Sequence, residues 1–181
     1  MKIICFGDSN TYGYDPRGYF GGRYDQPWPE ILTKQLGCTV LNWGENGRKI
    51  PIKTMDRPIE MELLIIMLGT NDLLESCSPK DICEKMEQFL ESLTVDRNKI
   101  LLIAPPPMEF GEWVQDQELI DNSITLAKHF HDLAKRLAVR FADAGTWNIP
   151  LAYDGVHLTE EGHRAFAHGL ITYLKKEFEL C

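Results

Sequence analysis

Four short blocks carry the residue types that acyl transfer needs. Ser9 stands in "FGDSN", directly after an apolar run, and Gly44 lies in "NWGENGR". Asn71 follows in "GTND", and Asp154 and His157 close the set in "YDGVHLTEEG". A serine hydroxyl is a weak nucleophile until a base removes its proton, and imidazole, which titrates near neutrality, suits that task. Asp154 precedes His157 by three positions in a loop, so its carboxylate can fold back onto the ring's Nδ1–H and leave Nε2 facing Ser9. An oxyanion would need preorganised donors, for which the backbone N–H groups of Ser9 and Gly44 and the side-chain amide of Asn71 are the candidates. Each residue alone has an ordinary reading: a turn serine, a capping asparagine, a "DG" turn, a helix-capping histidine. Only their joint occurrence points to catalysis.

The elements between the blocks must bring them together. "KIICF" (2–6), "CTVLNW" (38–43), "ELLIIML" (62–68), "KILLIA" (99–104) and "AVRFA" (138–142) read as strands. Several are apolar on both faces, as parallel strands between helix layers are. "SPKDICEKMEQFLESL" predicts a helix capped by Ser78, with Pro79 at its first position and Ile82, Met86, Phe89, Leu90 and Leu93 on one face. A second helix is expected within 116–137, with Ile120, Ile124, Ala127, Ala134 and Leu137 inward, and a third over about 160–178 capped by Thr159. This alternation implies a three-layer α/β/α sandwich around a five-stranded, parallel, doubly wound sheet, with residues 1–181 as one domain. The four blocks then fall at the carboxyl ends of strands, where open α/β sheets bind ligands.

Two stretches interrupt the alternation, 12–27 ("YGYDPRGYFGGRYDQP") and 105–113 ("PPPMEFGEW"). Long loops in compact domains are commonly functional, and these two could act as a lid or as a subunit contact. Asp8, Trp43, Arg48, Phe110 and Trp113 are the candidate substrate contacts, with Tyr12, Phe20 and Trp28 as further aromatics for a pocket. Asp8 could instead anchor its turn, and Arg48 tie down the loop carrying Gly44.

Composition narrows the partners. The 181 residues include 19 basic and 27 acidic side chains, for a formal charge of −8, which argues against nucleic acid or an anionic membrane. No apolar stretch approaches a membrane span, and "MKIICFGDS" has too short an apolar run for a signal peptide. The five cysteines are scattered without CxxC pairs, as expected of reduced thiols in a cytoplasmic protein, and suggest no metal site. His129 and His131, two apart on a helix, point to different faces and make a poor metal pair.

The ordered blocks "GDSN", "NWGENG", "GTND" and "DGVH" resemble the SGNH (GDSL-like) hydrolase family, with Asn10 where that name has leucine. "LLIIMLGTND", the "APPP" loop, "FADAG" and "DGVHLTEEG" are most similar to its bacterial arylesterase/acyltransferase branch. The resemblance implies Ser9 as nucleophile, His157 as base, Asp154 as orienting acid, and Ser9, Gly44 and Asn71 as oxyanion donors. It also implies a flavodoxin-like strand order, no cofactor, and a small ester as the partner, with homo-oligomerisation left open. The expected activity is a serine esterase, or an acyltransferase where an alcohol replaces water. A carbohydrate acetylesterase is the rival enzyme, and a non-catalytic flavodoxin-like binding or signalling module the alternative of another class.

Overall fold

The computed structural model describes residues 1–18, 21–52 and 60–178. Five parallel strands form the sheet: β1 (Lys2–Gly7), β4 (Thr39–Gly44), β5 (Leu63–Met67), β6 (Ile100–Ala104) and β7 (Arg140–Asp143). Their spatial order is β4-β1-β5-β6-β7, the flavodoxin-like arrangement, with β1 at the point where the winding reverses. A separate two-stranded antiparallel hairpin, β2 (Tyr14–Asp15) and β3 (Gly22–Arg23), arises from the first long insert.

Strand pleating divides the core into two halves. Ile3, Cys5, Leu63, Ile65, Met67, Leu101 and Ile103 face α2 (Trp28–Leu36) and α6 (Glu160–Phe178). Ile4, Phe6, Leu64, Ile66, Leu102 and Ala104 face α4 (Pro79–Ser92) and α5 (Gln117–Leu137). Every residue of β5 is buried, as its unbroken apolar sequence requires of the middle strand. Burying each such side chain stabilises the fold by about 1.5–3 kcal/mol.

Helix α4 begins as expected: the Ser78 hydroxyl accepts from the Asp81 N–H, and Ile82, Met86, Phe89 and Leu90 are buried. Thr159 caps α6, its hydroxyl accepting from the Gly162 N–H. In α5 Ala134 is buried and Ile120, Ala127 and Leu137 pack against the core as expected, whereas Ile124 is exposed and Ser123, Leu126, Phe130 and Leu133 complete the inward face. Ser123 Oγ accepts the Met108 N–H of the 105–113 loop at 2.9 Å. Among the described residues, no helix is long and apolar enough to cross a membrane.

Candidate active site

β1 delivers Ser9 to the edge of the sheet. Asp8 caps the short helix α1 (Ser9–Tyr12) by accepting the Asn10 N–H, so the hydroxyl of the first helical residue stands just past the strand. Ser9 Oγ lies 3.0 Å from His157 Nε2, across a separation of 148 residues. His157 Nδ1 lies 2.7 Å from Asp154 Oδ2. The carboxylate fixes the tautomer: Nδ1 donates to Asp154, leaving Nε2 to accept from the serine. Asp154 Oδ1 in turn accepts the backbone N–H groups of Val156 and His157, both at 2.9 Å. Burial alone would raise the Asp154 carboxyl, but these bonds and the His157 charge hold it below the usual carboxylate range.

Asn10 was read in the sequence only as a departure from leucine, and its role is visible only in three dimensions. Its Nδ2 donates to the Val156 carbonyl at 3.1 Å, and its Oδ1 accepts the Leu158 N–H at 2.9 Å. The residue beside the serine thus grips the backbone on both sides of His157. Trp28 reinforces this brace, its indole N–H donating to the Asn10 carbonyl at 3.0 Å. Its backbone N–H donates to Nδ1 of buried His163 at 3.4 Å. His163 Nε2 has no partner among the described residues, and burial, with the charges of Arg23 and His157, lowers its pKa to about 3.

The opposite wall comes from the turn after β4 and the start of α3 (Thr70–Leu74). Asn71 Nδ2 donates one hydrogen to the Arg48 carbonyl at 3.0 Å. Arg48 itself is a tie: its guanidinium donates to the carbonyls of Gly7 and Trp43 and to Glu45, and covers the Phe6 ring. These bonds fit the reading of Arg48 as the residue that ties down the turn carrying Gly44.

Gly44 differs from its expected role. Its N–H is occupied by Asn42 Oδ1 at 2.9 Å. The glycine is needed there for close approach, since a Cβ would lie 2.0 Å from the Tyr12 nitrogen. Three residues on, Gly47 has φ +75°, open space where a Cβ would project, and an N–H with no acceptor among the described residues.

The other expected contacts separate cleanly. Phe110 and Trp113 are 65% and 50% exposed, and Trp113 meets the His157 ring edge-on at 5.1 Å. Asp8 and Trp28 are buried, while Trp43 packs on the α4-side core. Phe20 lies outside the described residues. Tyr14, which sequence reading passed over, sits 4.7 Å from the His157 ring. Among the described residues, no group of three His, Cys, Asp or Glu side chains could hold a metal ion.

Residues 5–165 match the family described as GDSL-like lipase/acylhydrolase, and the chain belongs to that family. Among solved structures it is similar to a carbohydrate acetylesterase family member from Sinorhizobium meliloti, at 25% identity and TM-score 0.82, with 99% of each chain covered. The native aryl esterase of M. smegmatis is similar at 26% identity and TM-score 0.80, again with 99% of each chain covered. A curated relative, the isoamyl acetate-hydrolyzing esterase 1 homolog of Mus musculus, is 28% identical over 142 residues, or 64% of this chain. The chain spans about half the length of that relative, 51%.

Proposed function

We propose that this chain is a serine esterase that cleaves small carboxylic esters through an acyl-enzyme. The observation that carries the reading is the 3.0 Å approach of Ser9 Oγ to His157 Nε2, with Asp154 bonded to the far side of the ring. Ser9 attacks the carbonyl carbon while its proton passes to Nε2. The tetrahedral adduct collapses as that proton moves to the leaving oxygen, freeing the alcohol. Water then repeats the sequence on the acyl-enzyme and releases the acid. An alcohol in place of water gives acyl transfer instead of hydrolysis.

The oxyanion donors in this reading are the Ser9 N–H, the Asn71 amide and, in place of Gly44, the Gly47 N–H. Two observations support Gly47: its unspent N–H, and the docking of its turn on the nucleophile's strand through Glu45 N–H to Gly7 O at 3.1 Å. Each such donor typically contributes about 2.7–4 kcal/mol to the barrier reduction.

Likeness to the aryl esterase supports simple aryl or alkyl esters as substrates, and likeness to the carbohydrate acetylesterase favours sugar acetates as a second reading. Turnover of aryl acetates against sugar acetates separates them. Ser9→Ala should abolish both turnover and labelling by a fluorophosphonate. Retention of full turnover in that variant would refute the mechanism.

A further inference from the structure

Proton transfer gives the site a direction. In the mechanism proposed above, on which this inference rests, Nε2 of His157 protonates the leaving oxygen. The alcohol half of the ester must therefore lie on the imidazole side, and the acyl half towards Asn71 and Gly47. Two rings border the imidazole: Tyr14 at 4.7 Å, tilted by 51°, and Trp113 at 5.1 Å, nearly perpendicular at 81°. Trp113 leaves this aromatic border half open to solvent, and Phe110, exposed, stands three residues before it on the same loop.

This border is fastened to the base. The N–H groups of Glu109, Glu112 and Trp113 donate to the carbonyls of Gly155, Tyr153 and Asp154 at 3.0–3.1 Å. From the other side the Tyr153 hydroxyl donates to the Pro16 carbonyl at 2.8 Å, joining the hairpin insert to the same turn. A binding surface set on this frame keeps its position relative to His157, as selection on one half of a substrate requires.

We infer that Trp113, with Phe110 and Tyr14, forms the binding face for the alcohol half of the ester, and that this face selects ring-shaped alcohols. A flat ring covers more of a half-exposed indole than an open chain of equal carbon number does, without the rotamer entropy an open chain loses. Aryl alcohols and the apolar face of a pyranose share the required shape.

The test compares esters differing in one half at a time. Cyclohexylmethyl acetate and heptyl acetate match in carbon number and leaving-group type; benzyl acetate and an acetylated pyranoside distinguish aryl from sugar alcohols. Wild type should prefer the ring esters in kcat/KM. Trp113→Ala should lower kcat/KM for at least one ring class by about 3–10-fold more than for heptyl acetate. Trp113→Phe should restore most of the preference, and an acetate-to-butanoate series on one alcohol should keep its wild-type profile. Should Trp113→Ala fail to fold, Phe110→Ala, whose ring is 65% exposed, reads the same panel with the same expectation. Equal losses on ring and open-chain esters, or a changed acyl-length profile, would overturn the inference. Ser9→Ala, run alongside, keeps the two readings apart: full turnover there sinks the mechanism, whereas an inactivated Ser9→Ala with alcohol selection unaltered in Trp113→Ala sinks only the aromatic face.

Discussion

The turn that ends β1 and the loop that precedes α6 each bring a buried aspartate within the electrostatic reach of His157, and the two are held oppositely. Asp154 accepts three hydrogen bonds, two from backbone N–H groups and one from the imidazole, and its pKa is lowered. Asp8 accepts the Asn10 N–H, the Thr70 side chain acts on it in the same lowering sense, and its Oδ2 has no close hydrogen-bond partner among the described residues. Burial pushes the Asp8 carboxyl up to about 6, against the lowering influence of the Asn10 bond and of the His157 charge. Burial raises both carboxyls, and at Asp154 the donors aimed at the carboxylate outweigh it, whereas at Asp8 they do not.

Removing the charge from the well-held member should break the comparison most severely. Asp154→Asn keeps the shape but presents an N–H towards Nδ1, which favours the wrong imidazole tautomer. A loss of about 10⁴ in kcat is expected, with binding of an inert ester analogue little changed. Wild-type kcat in this variant would remove Asp154 from the mechanism.

The link between the two regions comes next. Asn10→Leu leaves the Val156 carbonyl and the Leu158 N–H buried without their partner, at about 1–3 kcal/mol for each group. A fall in melting temperature of several degrees should accompany a kcat loss of about 10-fold or more, with KM less affected. A kcat loss without any thermal shift would mean that the amide acts on the chemistry directly and not as a brace.

The smallest effect belongs to the poorly held carboxyl, and its sign follows from linkage. Asp8 titrates higher in the folded chain than at its ordinary value of 3.8. Its stabilising contribution is therefore fully present below about pH 4 and is lost as pH rises through about 6. Asp8→Asn retains the cap oxygen and removes that loss, so its melting temperature relative to wild type should rise between about pH 4 and 7, by a few degrees. His163 works in the opposite sense: held at about 3 against an ordinary 6.5, it favours folding above about pH 6.5 and loses that contribution as pH falls towards 3. Only the difference between variant and wild type isolates Asp8. A pH-independent difference would show that Asp8 is not the raised group.

The strands, the cap of α4 and the pairing of Ser9 with His157 were legible because each leaves a local mark: an apolar run, a Ser-Pro start, a hydroxyl at a strand end. Three features were not. The inward turn of Ser123 in α5, a polar residue whose Oγ accepts the Met108 N–H, and the exposure of apolar Ile124 left no mark in the spacing. Spacing nominated Gly44 as an oxyanion donor, but its N–H is captured by the side chain of Asn42, two residues earlier. Asn10 was visible only as a departure from leucine, since it grips backbone groups, which no residue type marks in a sequence.

That clamp has a consequence for how such a chain can change over time. The approach of the serine oxygen to the imidazole is braced locally by an amide gripping the histidine's neighbours, in addition to the strands that bring the two turns together. Intervening helices could lengthen, and surface connections be exchanged, while the reacting atoms stayed in register. Diversity in the periphery is thereby uncoupled from precision at the centre.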